Sequence, residues 1–343
     1  MNVSESNIKK NWEELNLNKK FGPVLQLEFL RSARSATIYK IMAGDPERPL
    51  PVILKIIDET NVESKVYEHY QTLLTPWMPT IYSIESLPQE NRKWILMEFI
   101  PIIKKQIRYQ MQHLDYIIPE VADLHARTFE MYHDNTKIPS WLPYYTSNDS
   151  INKRKQRFEM IQRVFSKLKT DANFITLNER HFADLEKITM KNSIHFDALI
   201  EAGQSIVHND LHSNNIGSHS LPAGGLENLR FIDWEQAQYG PTWIELAFLV
   251  ETKLRRKEEK KVSKIRAHCI DLYVNQMNRY GITYKTDPFL LYKMAFVSHA
   301  IERDLVVYLK RCRENRDNVS DPQGDLTELL EKIFSWGKEI SFI

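Results

Sequence analysis

The residues with the most chemical potential in this 343-residue chain lie in one short stretch. IVHNDLHSNNIG sets an apolar run before His208, Asp210, His212 and Asn215, in the spacing H-x-D-x-x-x-x-N. Further along, LRFIDWE brings a second apolar run to its end at Asp233. Carboxylates and a side-chain amide on short loops are hard oxygen donors, which suit Mg²⁺. In phosphoryl transfer one carboxylate orients the attacking hydroxyl and takes its proton, while an Asn and a second carboxylate hold magnesium against the phosphates. Two simpler readings use the same residues. His208, His212 and His219 lie close in sequence, as zinc ligands would, but the further ligands such a site needs cannot be placed. Asp233 alone would serve as a turn cap. The combination of D-x-x-x-x-N, a strand ending in IDWE and an upstream strand lysine is much rarer than any of its parts, and it favours phosphoryl transfer.

The elements that must position these residues fall into two blocks. LQLEFL (25–30), ATIYKIMA (36–43) and PVILKII (51–57) read as strands, with GDPERP as a turn between the last two. In NVESKVYEHYQTLL the residues Val66, Tyr67, Tyr70, Leu73 and Leu74 repeat at helical spacing, with Asn61 as the expected cap. IYSIES (81–86) and WILMEFI (94–100) read as two more strands. After Pro101 helical periodicity takes over, first in IIPEVADLHARTFEMYH, then through 150–200 and again through 242–343. The charged run KLRRKEEKKVSKIRAH reads as a solvated helix face. The catalytic stretch is a β-like island between these helical blocks.

Composition bounds the class. Lys and Arg number 46 against 45 Asp and Glu, a formal net charge of +1, which argues against a protein that relies on a basic field to bind nucleic acid. Hydrophobic residues make up 42% and charged residues 27%, ordinary values for a globular protein. Two cysteines cannot build a disulfide framework, so a reducing cytoplasm is the expected compartment. Neither a signal-peptide core nor a membrane-length apolar run is found, and no membrane partner is expected.

VHNDLHSNNIG resembles the H-G-D-L-H-x-x-N-I-L loop of the aminoglycoside phosphotransferase and choline kinase-like small-molecule kinases. FIDWEQAQYGPTWIELAFL resembles their I-D-W/F-E…G-D-P…D-L-A segment, and VADLHARTF is similar to their L-A-x-L-H helix. The resemblance covers about residues 20–130 and 200–255. It implies an α+β, bilobal protein-kinase-like fold: a β-rich nucleotide lobe over 1–100 and a mainly helical lobe over 101–343, with a helical insert at about 141–203. ATP would bridge the two. By resemblance Asp210 is the catalytic base, Asn215 and Asp233 are the Mg²⁺ ligands, and His208 and His212 brace the loop. Glu245 stands where the family usually has Asp and would brace the catalytic loop.

In the first lobe, Lys55 of VILKI matches the kinase strand lysine that contacts the α- and β-phosphates and pairs with a helix glutamate. Read alone, the alternative is an exposed edge-strand lysine. Glu63 is the expected partner because it shares a stripe with Tyr67, Tyr70 and Leu74, whereas Glu68 points off that face. Glu98 and Ile100 are expected to meet adenine through their backbone. LRSARSATIYKI carries no glycine where protein kinases have G-x-G-x-x-G, so Ser32 and Ser35 are the candidates to approach the phosphates.

The resemblance implies an ATP- and Mg²⁺-dependent phosphotransferase acting on a hydroxyl of a small molecule, with an aminoglycoside-, choline- or amino-alcohol-like acceptor. A catalytically idle kinase-like binding or structural protein, of the spore-coat type, is the alternative. A protein kinase is disfavoured, because GPTWIELAFLVE follows Asp233 closely and leaves no room for a long activation loop or an A-P-E element. Glu302 and Asp304 are acidic residues that could receive a cationic acceptor, with Tyr273, Tyr292 and Tyr308 as aromatic faces, but each reads more often as an ordinary core or surface residue, and none is taken as a site residue.

Overall fold

The computed structural model describes residues 4–33, 35–87, 91–106, 110–191, 194–254, 259–314 and 322–342. It divides into two compact units, one of residues 1–110 and 212–237, the other of 111–211 and 238–343. The segment 212–237, which holds Asn215 and Asp233, therefore clusters with the strand-rich residues rather than with the helices that precede and follow it. That differs from a simple division at Pro101. Hydrogen bonds made far along the chain override the order of the sequence: Phe231 N–H bonds Trp77 O at 2.6 Å, and Ser218 N–H bonds Pro101 O at 3.0 Å.

The first unit opens with α1 (Glu5–Glu14), capped by Ser4, whose hydroxyl accepts Asn7 N–H, and then α2 (Leu17–Phe21). A five-stranded antiparallel sheet follows, built from β1 (Val24–Ser32), β2 (Ala36–Asp45), β3 (Arg48–Asp58), β4 (Ile81–Leu87) and β5 (Arg92–Glu98). The strand order is β1-β2-β3-β5-β4, so β3 is central. The β2–β3 turn is tighter than GDPERP suggests. Asp45 pairs with Arg48 in the ladder, and Asp45 Oδ1 accepts Glu47 N–H. β5 ends at Glu98, two residues short of the apolar run, which leaves Phe99 and Ile100 outside the strand.

The two-residue period of a strand sorts the side chains of the sheet. Tyr39, Ile41 and Ala43 of β2, Val52, Leu54 and Ile56 of β3, and Trp94 and Leu96 of β5 form one buried cluster with Ile8 and Trp12 of α1. Burying each of the Val, Leu and Ile side chains among them contributes about 1.5–3 kcal/mol. Lys55 sits on the opposite side of β3 from Leu54 and Ile56, between Ile38 of β2 and Ile95 of β5 in register. α3 (Val62–Tyr70) follows β3, and Asn61 caps it by accepting Glu63 N–H at 2.8 Å. α4 (Ile103–Gln106) leads out of the sheet. A two-residue hairpin pairs Ile216–Gly217 with Arg230–Phe231. Gly217 is required by close approach: a β-carbon there would lie 2.4 Å from Pro101 O.

The second unit is helical: α5 (Leu114–Arg127), α6 (Asn148–Leu168), α7 (Ala172–Met190), α8 (Asp197–Glu201), α9 (Thr242–Leu254), α10 (Glu259–Arg279), α11 (Pro288–His299), α12 (Val306–Glu314) and α13 (Pro322–Glu339). α6 and α7, the expected insert, pack against each other and against α12 and α13 as part of this unit. A short antiparallel pair joins Gln204–Val207, which precedes Asp210 closely in sequence, with Gln238–Pro241. A π-helical turn, Ala300–Leu305, joins α11 to α12. Of the charged run at 253–268, residues 253–254 end α9, residues 255–258 lie outside the described residues, and 259–268 enter α10. No described helix is long and apolar enough to cross a membrane. Neither cysteine forms a disulfide; burial pushes the Cys269 thiol up to about 12.

Candidate active site

In the first unit, Lys55 is pinned between two carboxylates. Its Nζ lies 2.5 Å from Glu63 Oε2 and 2.5 Å from Asp233 Oδ1, and its side chain is 3% exposed. The central strand supplies the lysine, and the first turn of α3 supplies the glutamate. Tyr67, one turn on, donates its hydroxyl to Glu63 Oε1 at 3.0 Å. Glu68 instead pairs with Lys93 at 3.2 Å. Burial works against the Lys55 ammonium, but the two carboxylates outweigh it, so its pKa lies above the ordinary lysine value. Burial pushes Glu63 up, against the pull of Lys55. An uncompensated buried charge is costly, and breaking such a pair by removing one partner typically costs about 3–5 kcal/mol. Each member therefore holds the others in place.

Asp233 has φ 71° and ψ 56°, a left-handed conformation at the start of the short turn Trp234–Gln236, which packs on α3. Side chains with a β-carbon adopt it at a cost that often marks a functional residue. Asn215 is joined to this segment through its backbone: Ile232 N–H donates to Asn215 O at 2.9 Å. The two expected metal ligands thus lie on adjacent, mutually bonded segments of one unit. His212 Nδ1 accepts Asn214 N–H at 3.2 Å, a bond that braces the loop backbone.

The remaining candidates of this unit are placed as follows. Ser32 shares a hydrogen bond with the Thr37 hydroxyl at 3.1 Å, across the neck of the β1–β2 hairpin. Ser35 lies at the tip of that hairpin, next to Arg34, which is outside the described residues. Glu98 ends β5, and its carboxylate accepts Thr80 N–H at 2.8 Å and faces His219 at 3.2 Å. The Ile100 side chain is buried.

In the second unit, Asp210 follows directly on Asn209, whose φ is 62°. Asn209 is held at both ends. Its N–H donates to Glu245 Oε2 at 2.6 Å, and its carbonyl oxygen accepts Arg303 Nη1 at 2.7 Å. The other guanidinium nitrogen of Arg303 lies 3.8 Å from Asp210 Oδ1. Glu245 Oε1 pairs with His125 Nε2 at 2.9 Å, and His125 Nδ1 with the Tyr273 hydroxyl at 2.9 Å. This buried chain runs from α10 through α5 and α9 to the residue before Asp210. His208 is fully buried beside it in sequence.

The profile of the ecdysteroid kinase-like family matches residues 62–282, more than half of the chain. The chain belongs to the ecdysteroid kinase-like family. Solved structures of small-molecule kinases share the fold of this ecdysteroid kinase-like chain from end to end. A choline kinase from Cryptosporidium parvum Iowa II is 14% identical with a TM-score of 0.60, over 98% of this chain and 96% of that one. The Plasmodium vivax ethanolamine kinase is 12% identical with a TM-score of 0.59, over 100% and 93% of the two chains. A spectinomycin phosphotransferase, solved with ADP and spectinomycin, is 14% identical with a TM-score of 0.55, over 95% and 98%. The α+β, protein-kinase-like fold implied by the sequence motifs is therefore that of the molecule. No curated protein sequence is significantly similar to it.

Two arginines of this ecdysteroid kinase-like chain, one in each unit, carry no sequence signal. Arg303 reaches the Asn209–Asp210 backbone from the π-helical turn, and Arg31 of β1 donates to Asp233 Oδ2 at 2.9 Å. Of the acidic and aromatic residues weighed for a cationic acceptor, most take the ordinary core reading. Glu302 is buried against Arg154, 3.6 Å away, and accepts the Ser298 hydroxyl. Tyr273 and Tyr292 are fully buried and bonded to His125 and Glu251, and Tyr308 is buried as well. These three rings are core, because helical packing has enclosed them. Asp304 lines a cavity of the second unit with Phe248, Phe296, His299 and Lys332.

Proposed function

We propose that the chain is an ATP- and Mg²⁺-dependent phosphotransferase that phosphorylates a hydroxyl of a small molecule. The observation that carries this reading is Lys55 held between Glu63 and Asp233, since that arrangement fixes an ammonium for phosphates beside a carboxylate for a metal. Asn215 and Asp233 suit Mg²⁺ as hard oxygen donors. Two ligands from the chain is the share taken when phosphates and water complete the shell. When bound, Mg²⁺ and ATP supply charge neutralisation and the γ-phosphoryl group.

The remaining work falls to residues of the chain. Lys55 holds the phosphates, and Glu63 and Tyr67 keep it in place. Glu98 and Ile100 offer backbone groups to adenine, and Ser32 and Ser35 lie at the hairpin that would cover the phosphates. Asp210 orients the acceptor hydroxyl and takes its proton. Glu245 and Arg303 fix the backbone that carries Asp210.

Arg303 beside Asp210, with Arg154 and Arg157 behind it around Glu302, disfavours a quaternary ammonium as acceptor. An uncharged polyhydroxylated molecule is the better fit, and the family name points to a steroid of that kind. The idle, ligand-binding alternative keeps the same fold but requires no turnover. The test is ADP release with a panel of hydroxylated steroids, sugars, aminoglycosides, choline, ethanolamine and amino-alcohols, run on the wild type and on Asp210→Asn. Turnover with one acceptor class, abolished in Asp210→Asn while ATP affinity is kept, supports the proposal. Mg²⁺-dependent ATP binding with no acceptor across the panel favours the idle alternative.

A further inference from the structure

Lys55, Glu63 and Asp233 together carry one positive and two negative charges, so the buried cluster is one cation short of neutral. Both oxygens of Asp233 are engaged, Oδ1 by Lys55 at 2.5 Å and Oδ2 by Arg31 Nη2 at 2.9 Å. The two cations differ in how firmly they are held. Lys55 is 3% exposed and gripped by a second carboxylate, whereas Arg31 is 53% exposed on β1, the edge strand of the sheet. An exposed ion pair of this kind is weak and breaks at little cost. Arg31 is thus the cation that can leave.

Arg31 also sits at the base of the glycine-free hairpin. Ala33 N–H bonds Ala36 O at 2.8 Å, and the Ser32 and Thr37 hydroxyls bond each other at 3.1 Å, so the neck of the hairpin is tied by its own groups. A glycine-rich loop brings its backbone N–H groups close to phosphates, but β-carbons hinder that approach here. A guanidinium presents five N–H donors in a fork that matches phosphate oxygens. The side chain of Arg31 supplies what this hairpin's backbone does not.

We propose that Arg31 is the phosphate-binding group of the hairpin and, without nucleotide, the resident counter-ion of Asp233. When phosphates are present, the guanidinium moves from Asp233 Oδ2 to them, and Oδ2 becomes available to the divalent cation. Nucleotide and metal then assist each other's binding, and the coupling is reciprocal by linkage. This rests on the nucleotide reading above. It adds a residue and an order of events: the metal binds poorly until phosphates have drawn Arg31 away.

The test is calorimetric titration of the full chain with Mn²⁺ alone, with ADP in the presence of Mg²⁺, and with adenosine, for the wild type, Arg31→Gln and Arg31→Lys. Arg31 is half exposed on an edge strand, so both variants are expected to fold, with melting temperatures as the check. In Arg31→Gln, Mn²⁺ alone binds about threefold tighter, the scale of an exposed ion pair. Mg²⁺–ADP binds about tenfold weaker, the scale of one hydrogen bond to a charged group, and adenosine is unchanged. Arg31→Lys falls between. Wild-type affinities for both Mn²⁺ and ADP in Arg31→Gln overturn the inference and leave the nucleotide reading standing. A wild-type chain that binds no ADP overturns both.

Discussion

The backbone N–H of Asn209 donates to Glu245 Oε2 at 2.6 Å, which ties the left-handed residue before Asp210 to the buried chain Glu245–His125–Tyr273. Glu245→Ala removes the acceptor for that N–H and the partner of His125 together. The expected loss is about 1–3 kcal/mol of stability, the cost of leaving buried polar groups unpaired. Turnover should fall while the KM for ATP stays near the wild-type value, as thermal unfolding and steady-state kinetics will show. A variant with normal turnover would remove Glu245 from the site.

Arg303 bonds Asn209 O and faces Asp210, so it acts on Asp210, the proposed base, through the backbone as well as by charge. Arg303→Ala is expected to lower kcat by about tenfold or more, the scale of one charge-assisted hydrogen bond, with little change in ATP affinity. Arg303→Lys should recover part of the loss, because a single ammonium cannot serve the carbonyl and the carboxylate at once. The alanine variant should also accept choline or ethanolamine better than the wild type does. ADP release with charged and uncharged acceptors measures both effects.

Asp233→Ala and Asp210→Asn should separate cleanly. The first deletes the carboxylate beside Lys55 and the expected metal ligand, so Mg²⁺-dependent nucleotide binding and turnover should fall together. The second should leave nucleotide binding intact. Unchanged Mg²⁺–ADP affinity in Asp233→Ala, measured by calorimetry, would count against the metal assignment.

Glu302 gives the protein a pH signature. Burial raises its carboxyl pKa to about 7, against the opposing pull of Arg154, Arg157 and Arg303; Ser298 and Tyr145 also face it. In the unfolded chain it ionises near the ordinary glutamate value. The folded state therefore holds the proton longer, and this group's contribution to stability is complete below that ordinary value and is lost as pH rises through about 7. Glu302→Gln removes the effect. Its stability relative to wild type should rise by about 3 kcal/mol between pH 4 and pH 8, at 1.36 kcal/mol per pH unit. Melting curves that shift in parallel across this range would refute the assignment.

What the sequence determined by itself was local. Strand alternation marked the sheet, the H-x-D-x-x-x-x-N spacing marked the candidate catalytic loop, and the helical stripe of Tyr67, Tyr70 and Leu74 singled out Glu63 over Glu68, the pairing found with Lys55. Each signal arises from backbone periodicity over a few residues, which any folded state must respect. Only the tertiary structure decided which distant charges meet. Arg31 and Asp233 stand 202 residues apart in the chain, and Arg303 and Asn209 stand 94 apart. An arginine on a strand or helix reads the same whether it faces water or a carboxylate, so neither partnership is encoded locally. Tyr273, Tyr292 and Glu302 carried the opposite ambiguity: aromatic and acidic side chains suited to a binding surface were enclosed by helices whose packing no short window reveals.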